Sequence, residues 1–211
     1  MTDPVFILGA GGHARDVADV VAAVGRRPVF VTHDAGIRER WTGADEIALE
    51  TEVASIAEAD FAMGIGNNSA RRRVVTGFSG ARFPAFIHPD TSFGRRQRST
   101  LQESVGTLVF AGVRMGSNVR VGAFCTFNLN STVSHDCEIG DFANLSPGAN
   151  VAGNVRIEED AWIGTGVAIN QGSDYRKLTI GARAVIGSGA VVLGDCDPDG
   201  VYVGIPARKI R

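Results

Sequence analysis

The sequence predicts two structural units, an α/β unit over residues 1–86 and a solenoid of short parallel strands over residues 87–211. Two observations lead to this fold class. Apolar strand segments alternate with glycine turns and helical patterns in the first unit, and apolar residues recur at every sixth position in the second. The length of 211 residues permits either one large domain or two small ones, with enough chain for a core in each.

The first unit begins with a strand, a glycine-rich turn and a helix. Residues 4–8 form the continuous apolar run of a buried parallel strand, and the apolar positions of residues 15–24 follow a helical period. Further strands are expected at residues 28–31 and 61–66. Strands that alternate with helices in this way predict a parallel sheet.

The turn after the first strand has the spacing of a dinucleotide-binding fingerprint, with the acidic Asp34 after the second strand. Gly9, Gly11 and Gly12 would let backbone N–H groups and a helix N-terminus approach a phosphate. The unit is too short for a complete six-stranded dinucleotide fold. It is therefore predicted to be a half-Rossmann-like domain that suits one nucleotide diphosphate, with an NAD-dependent enzyme left open as an alternative.

The second unit is built from six-residue repeats. Eleven consecutive apolar residues lead these hexads: Val109, Met115, Val121, Phe127, Val133, Ile139, Leu145, Val151, Ile157, Ile163 and Ile169. A small or β-branched residue stands four positions after each leader, and glycine directly follows the leader at 116, 122, 140 and 164, where we expect it to relieve the corner. The register resumes only at Ile180, so about five residues around 173–177 are expected to form a loop. Three hexads would close one triangular coil.

These hexapeptide repeats resemble the left-handed parallel β-helix of the hexapeptide acyltransferases. The handedness is an implication of the resemblance, because left-handed crossovers are exceptional. The segment from Gly204 to Arg208 looks like that family's final turn. Gly11-Gly12-His13, Asp34 and residues 64–68 resemble the N-terminal domain of the sialic-acid O-acetyltransferase and UDP-amino-sugar N-acetyltransferase family, in which this domain binds the sugar nucleotide. The resemblance is weakest over residues 94–105, where an arginine run is expected to be a solvated loop.

Histidine is the natural general base for acyl transfer near neutral pH, and the chain has four histidines. His135 occupies a turn position of its hexad, so its ring should point outward from the coil. The family's catalytic histidine lies in a matching His-Asp/Glu-Cys motif. The resemblance therefore implies that His135 is the base and that Asp136 orients its imidazole, with no metal required. Cys125 and Cys137 fall at inward positions and are expected to pack rather than react.

The resemblance also implies the binding residues. The sugar nucleotide is expected at Gly11, Gly12, His13, Asp34, Gly66 and Asn67. Acetyl-CoA is expected at Asn144, Gly153, Thr165 and Ser188, with the acetyl end near the first two. Asn144 departs from the many relatives that carry histidine there. The Ser173–Lys177 insert is expected to be a plain loop, with a clamp for the coenzyme phosphates as the alternative.

The sequence thus predicts an acetyl-CoA-dependent acetyltransferase that acts on the amino group of a nucleotide-linked sugar, with UDP- and dTDP-4-amino sugars as candidates. The family's trimers place the active site between neighbouring β-helices, so we expect a homotrimer. Two alternatives stay open: O-acetylation of sialic acid or another sugar hydroxyl, and a non-catalytic scaffold that senses a nucleotide.

Composition argues against nucleic acids, membranes and metals as further partners. A net charge of −2 with 21% charged residues argues against a nucleic-acid partner and against an anionic membrane surface. No apolar run approaches the roughly 18 residues of a membrane-spanning helix, and residues 1–9 lack the features of a signal peptide. The cysteines at 125, 137 and 196 have no metal-ligand spacing, so we expect reduced thiols in a cytoplasmic protein.

Overall fold

The computed structural model describes residues 3–43, 45–53, 56, 58–78 and 80–211. Within the described part of the first unit, strands and helices alternate. In chain order they are β1 (Pro4–Leu8), α1 (Gly12–Ala23), β2 (Arg27–Thr32), α2 (Ala35–Glu39), β3 (Glu46–Leu49), α3 (Glu50–Val53), β4 (Asp60–Met63) and α4 (Asn68–Gly77). No helix in the described residues is long and apolar enough to cross a membrane.

The strands of the first unit form a parallel sheet in the order β3-β2-β1-β4. The central strand β1 is buried on both faces. Val5 and Ile7 pack with α1 on one face, and Phe6 and Leu8 pack against Phe61 and its neighbours on the other. A strand covered on both faces needs apolar residues at every position, which is why residues 4–8 read as an unbroken apolar run.

The second unit is a left-handed parallel β-helix of two- and three-residue strands, which confirms the predicted fold class. Its elements are β5 (Phe86–Ile87), β6 (Ser92–Phe93), α5 (Gln97–Gln102), β7 (Leu108–Val109), β8 (Arg114–Met115), β9 (Arg120–Val121), β10 (Thr126–Phe127), β11 (Thr132–Val133), β12 (Glu138–Ile139), β13 (Asn144–Leu145), β14 (Asn150–Val151), β15 (Val155–Ile157), β16 (Trp162–Ile163), β17 (Ala168–Ile169), β18 (Leu178–Ile180), β19 (Val185–Ile186), β20 (Val191–Val192), β21 (Val201–Val203) and β22 (Arg208–Lys209). The final hairpin, β21–β22, is antiparallel and closes one end. The predicted boundary between residues 86 and 87 falls inside β5.

Three sheets form the faces of the triangular β-helix. Face I contains β5, β7, β10, β13, β16, β19 and β21, face II contains β6, β8, β11, β14, β17 and β20, and face III contains β9, β12, β15 and β18. We call the edges between them the I–II, II–III and III–I corners. The hexad leaders point into the core and are buried, except for the half-buried Val121. The period of six is therefore the packing period of the core.

The tight turn at each corner has one residue in the left-handed conformation, at the fourth position of the hexad. These residues are Gly112, Asn118, Phe124, Asn130, Asp136, Phe142, Gly148, Asn154, Asp160, Gly166, Arg183 and Gly189. Glycine, asparagine and aspartate tolerate this conformation best, which explains their frequency at this position. Glycine after the leader has a different role from the one expected. A Cβ at Gly140 would lie 2.6 Å from the backbone nitrogen of Glu159, so glycine allows the coils to stack.

Two irregularities interrupt the repeat. Helix α5 replaces the face III strand of the first coil, and the buried Gln97 side chain pairs with the backbone N–H and carbonyl of Val119 as a strand would. The arginines at 95, 96 and 98 that flank it are exposed, as expected. The insert also lies where the register predicts, because Arg156 pairs with Thr179 across 23 residues, whereas Glu138 pairs with Arg156 across 18.

The first unit packs on face I and on the III–I corner. Phe86, Leu108 and Phe110 join the apolar cluster of α1, and Phe124 and Phe142 join the cluster of β1 and β4. The buried guanidinium of Arg71 donates a hydrogen bond to the carbonyl of Phe142 at 2.7 Å. Two apolar clusters of the first unit therefore extend onto the outer surface of the β-helix, whose interior core is a separate cluster, and a buried polar link joins the two units.

Candidate functional site

His135 and Asp136 form a hydrogen-bonded pair on the II–III corner. Asp136 holds the left-handed position of the turn, with φ of 60°, and this geometry turns the two consecutive side chains toward each other. Nδ1 of His135 lies 2.7 Å from Oδ2 of Asp136. The imidazole is 68% exposed, so Nε2 is open to a substrate. This is the outward orientation that the hexad position predicts.

The carboxylate of Asp136 is stabilised as an anion. The side-chain amide of Asn118, one coil away, donates a hydrogen bond to Oδ1 at 2.5 Å. That bond is the largest cause that lowers the pKa of Asp136, and the hydrogen bond from His135 and the positive charge of Lys177 lower it further. An ionised carboxylate can only accept a hydrogen bond, so it favours the tautomer with the proton on Nδ1. Nε2 of His135 then carries the free lone pair.

Gly153 provides the space for the imidazole. A Cβ at this position would lie 2.7 Å from both Cε1 and Nε2 of His135. On the other side, a Cβ at Gly116 would lie 2.8 Å from the backbone nitrogen of His135. Glycine at 153 is therefore needed for the observed position of the His135 ring, because any side chain there would displace the ring.

A cavity of about 620 Å³ opens beside this pair. His135, Asp136 and Gly153 line one part of it, and Arg120, Gly172 and Lys177 line another. The insert that follows β17 thus forms a wall of the cavity instead of an isolated loop. The volume is in the range of small-molecule sites.

The other predicted coenzyme residues lie elsewhere on the β-helix. Thr165 and Ser188 are exposed in adjacent coils of the I–II corner. Asn144 lies on the outer side of face I and is buried, and its amide donates to Oγ of Ser146 at 3.0 Å. Of the four predicted coenzyme residues, only Gly153 lies next to the His135–Asp136 pair within one chain. Coenzyme contacts at the other three positions stay predictions.

The predicted sugar-nucleotide residues lie at the carboxyl edge of the first sheet. Gly11 is the N-cap of α1 and offers no side-chain cap to the helix. A Cβ at Gly11 would meet no atom within 4 Å, and one at Gly12 would meet only the end of Arg15. By contrast, a Cβ at Gly64 would lie 2.7 Å from Ala14. Packing thus accounts for glycine at 64 but not at 11 and 12, where open space adjoins the positive end of a helix.

His13, in the same turn, faces inward. Its ring packs against Phe110 with the centroids 5.6 Å apart, and Nε2 is buried without a hydrogen-bond partner in the described residues. Burial, followed by the positive charge of Arg71, lowers the pKa of His13 to about 4. His13 is therefore neutral at pH 7 in the chain without a ligand.

Asp34 and Asn67 have local structural roles as helix N-caps. Oδ1 of Asp34 accepts from the N–H of Gly36, and Oδ1 of Asn67 accepts from the N–H of Ala70. Both residues remain exposed. Gly66 and Asn67 also line a second cavity, of about 570 Å³, which Trp162, Arg183 and Val185 complete from the β-helix. Sugar-nucleotide contacts at all these positions stay predictions.

Sequence reasoning missed the structural roles of three residues. Arg71 and Asn68 lie on a helix whose polar pattern suggests an exposed surface, yet both are buried against the β-helix. Lys177 lies in the insert, and only the tertiary structure turns it toward the His135–Asp136 pair. Arginine and lysine are usually exposed, so position along the chain could not identify these contacts.

The three cysteines are buried, and burial raises the pKa of Cys125 and of Cys196 to about 12. Burial also raises the pKa of Cys137. Such thiols are poor nucleophiles, which favours direct transfer over an acyl-enzyme. Among the described residues, no cluster of histidine, cysteine and carboxylate side chains has the arrangement of a metal site. A cytoplasmic location stays a prediction.

Comparisons with known proteins match both units. Residues 4–78 match the family model described as the PglD N-terminal domain. The GDP-perosamine N-acetyltransferase of Escherichia coli O157:H7 is 44% identical over 107 residues, which cover 50% of this chain and 48% of that protein. The galactoside O-acetyltransferase of Escherichia coli K12 is 32% identical over 116 residues, which cover 46% and 55%. The chain thus spans about half the length of these curated relatives.

Solved structures match the whole chain. WeeI from Acinetobacter baumannii AYE has a TM-score of 0.87 at 28% identity and covers 99% of this chain and 100% of its own. The acetyltransferase domain of PglB from Neisseria gonorrhoeae FA1090, in complex with acetyl coenzyme A, has a TM-score of 0.84 at 28% identity and covers 100% of both chains. PerB from Caulobacter crescentus, in complex with CoA and GDP-perosamine, has a TM-score of 0.86 at 25% identity and covers 100% and 99%.

Proposed function

We propose that this chain, which belongs to the hexapeptide-repeat sugar acetyltransferases, transfers the acetyl group of acetyl-CoA to the amino group of a nucleotide-linked amino sugar. The observation that carries the proposal is the His135–Asp136 pair, held at 2.7 Å beside a cavity of about 620 Å³. The ligands of PerB and of the PglB domain support both substrates.

His135 acts as the general base. The neutral amine of the sugar attacks the thioester carbonyl, and Nε2 takes up the N–H proton as the C–N bond forms. The tetrahedral intermediate then collapses, the C–S bond breaks, and the proton passes to the sulfur of the leaving coenzyme. Asp136 holds the ring through Nδ1–H and stabilises the imidazolium that forms in between.

Acetyl-CoA is expected to place its thioester at Gly153, next to the imidazole. A glycine there leaves room for the ring of His135. We expect the acyl group to approach the backbone beside it, where an N–H group could stabilise the developing oxyanion. Thr165 and Ser188 would contact the pantetheine arm, and Asn144 would contact the acetyl end. Asn144 can donate a hydrogen bond but cannot exchange a proton at neutral pH.

The sugar nucleotide is expected at the carboxyl edge of the first sheet, with its diphosphate at the N-terminus of α1. Open space around Gly11 and Gly12, together with an uncapped helix, supports an anion there. His13, Asp34, Gly66 and Asn67 surround this position and would contact the nucleoside and the sugar.

The complete active site is expected to require a second copy of the chain. Arg71 and Asn68 fix the first unit to the III–I corner, whereas His135 lies on the II–III corner. A sugar nucleotide bound to the first unit of one copy would therefore meet His135 of a neighbouring copy. As the family resemblance implies, we propose a homotrimer, which light scattering of the purified chain would test.

An acceptor panel tests the proposed reaction. The purified protein would be incubated with acetyl-CoA and GDP-, UDP- and dTDP-linked 4-amino sugars, with free thiol release as the readout. Each amino sugar would be paired with the corresponding 4-hydroxy sugar nucleotide. We expect turnover with at least one amino sugar and little with its hydroxyl partner, since a neutral amine is the better nucleophile. Turnover of only the hydroxyl sugars would establish O-acetylation instead.

Substitutions of two histidines test whether His135 is the general base. His135→Ala should reduce kcat by about a thousandfold on the best acceptor, within the usual range for loss of a general base. His88→Ala is the matched control, because His88 occupies another turn and accepts a hydrogen bond from the N–H of Asp90. Full activity of His135→Ala would exclude His135 as the base.

A further inference from the structure

The insert after β17 is attached to the corner that carries the catalytic pair. The N–H of Gly172 donates to the carbonyl of Gly153 at 3.0 Å, and the N–H of Leu178 donates to the carbonyl of Asn154 at 3.2 Å. The side-chain amide of Asn154 also donates to the carbonyl of Ser173. The five extra residues therefore stand over the coil next to His135 and Asp136.

Lys177 points from this insert into the corner. Its ammonium group donates hydrogen bonds to the backbone carbonyl of Asp136 and, at 2.9 Å, to Oδ1 of Asn154. It also lies 3.6 Å from Oε1 of Glu138, and its side chain is only 21% exposed. A lysine with these three partners is held in one conformation. The neighbouring Arg176 instead pairs with Asp195, away from the catalytic pair.

The carbonyl of Asp136 takes no part in the coil-to-coil ladder. At this turn the ladder runs from the N–H of Asp136 to the carbonyl of Ser117, and from the N–H of Asn154 to the carbonyl of His135. The equivalent carbonyls of the III–I corner also accept from side chains. Phe142 accepts from Arg71 at 2.7 Å, and Asp160 accepts from Asn68 at 2.9 Å.

We propose that Lys177 is a positioning residue for the acetyl transfer, and that its ammonium group fixes the turn on which His135 and Asp136 are carried. This inference rests on the proposed function of the His135–Asp136 pair. On the III–I corner the first unit supplies the donors that hold the turn. On the II–III corner the insert supplies the donor, so the turn is held while the imidazole stays exposed.

Lys177 also contributes a positive charge near the base. The other charged groups at this corner are Asp136 and Glu138, the Arg120 and Arg156 side chains that bond Glu138, and Asp174 on the insert. Removal of Lys177 should therefore take both a hydrogen-bond donor and a positive charge from this corner, and the turn would lose its fixed position.

Three variants of the full-length chain test the proposal. Lys177→Met removes the donor and the charge, Lys177→Gln keeps a donor without the charge, and Arg176→Met is the matched control on the same insert. In Lys177→Met we expect kcat to fall about tenfold while KM for acetyl-CoA stays within about twofold. Lys177→Gln, which keeps a donor, should show a smaller loss of kcat.

A measurement that is independent of turnover separates this inference from the proposed function. The imidazole signals of His135 can be followed by NMR at one fixed pH, since the chain has only four histidines and His135→Asn identifies the resonance. The His135 signals should shift or broaden in Lys177→Met, change less in Lys177→Gln and stay constant in Arg176→Met. Failure of the acceptor panel would reject the proposed reaction while leaving this spectrum as a test of Lys177.

Two outcomes would overturn the inference. One is an unchanged His135 NMR signal and a kcat within about twofold of the wild type in Lys177→Met. The other is a raised KM for acetyl-CoA with unchanged kcat, which would assign Lys177 to coenzyme binding. If Lys177→Met does not fold, the His135 signal and the kcat of Lys177→Gln decide the question.

Discussion

The III–I and II–III corners of the β-helix use the same left-handed turn for different purposes. On the III–I corner the residues in this conformation include Phe124 and Phe142, whose rings are buried against the first unit. On the II–III corner they are Asn118, Asp136 and Asn154, which lie at the surface. The repeat makes the turns equivalent in backbone geometry, and the packed neighbours decide what each turn does.

The residue types at these turns indicate which corner is covered by the first unit. A left-handed phenylalanine costs about 1–2 kcal/mol of backbone strain, which only burial of the ring can offset. Asparagine and aspartate adopt the conformation at lower cost and suit an exposed corner. The residue type at the fourth position of the hexad therefore indicates where the first unit packs on the β-helix. A count of hexad leaders and glycines alone did not use this signal.

Replacement of Arg71 should affect the III–I corner, which the first unit covers, and not the exposed II–III corner. Its guanidinium donates to the carbonyls of Ile65, Gly66 and Phe142 and to Oδ1 of Asn68. Arg71→Met leaves these buried acceptors without a donor, and we expect a loss of about 3 kcal/mol in the free energy of unfolding. Chemical denaturation would measure it. Arg73→Met is the control, because Arg73 is exposed on the same helix and its loss should change stability by less than about 0.5 kcal/mol.

A methyl group on Gly153 should disturb the exposed corner instead. Its Cβ would lie 2.7 Å from the imidazole of His135, so Gly153→Ala must displace the ring from its position against Asp136. We expect kcat to fall about thirtyfold, or roughly 2 kcal/mol, because misplaced catalytic groups lose their alignment. Gly194→Ala is the matched control, since a Cβ there meets no atom within 4 Å. Equal kcat values for the two variants would mean that the ring tolerates displacement.

The pH dependence of the free energy of unfolding would test whether His13 is a buried, neutral ring. The pKa of His13 is about 4 in the folded state, below its ordinary value of 6.5, so the unfolded chain binds a proton that the folded chain does not. Stability from this group is present above pH 6.5 and declines as the pH falls toward 4, by about 1 kcal/mol between pH 6 and pH 5. His13→Phe should remove this part of the slope, and His88→Phe should retain it. Identical slopes for the wild type and His13→Phe would contradict a buried neutral ring.

Much of the fold could be predicted because the six-residue period of the hexad leaders determines the β-helix. Each leader is separated from the next by one face of the coil, so an apolar residue every six positions determines both the core and the register. The five-residue insert followed from the same count. His135 and Asp136 could be placed because they are adjacent in sequence and lie at one turn, so no distant contact was needed to form the pair.

The candidate binding residues were harder to place, since they come from separate parts of the chain. Asn144, Thr165 and Ser188 lie on other surfaces of the β-helix than Gly153. A hexad count gives the corner of a residue, but it cannot show which corner is covered by the first unit. Nor does the count show that Asn144, on face I, is buried.

The sequence by itself determined the repeat, the half-Rossmann-like strand and helix pattern, and the outward position of the adjacent His135 and Asp136, because each depends on contacts between near neighbours or on a strict period. The tertiary structure alone decided the roles of Arg71, Asn68 and Lys177. Their partners are 71, 92 and 41 residues away in the chain, at Phe142, Asp160 and Asp136. A long polar side chain carries no local sign of whether it ends in water or on a buried carbonyl, and only the folded arrangement supplies the acceptor.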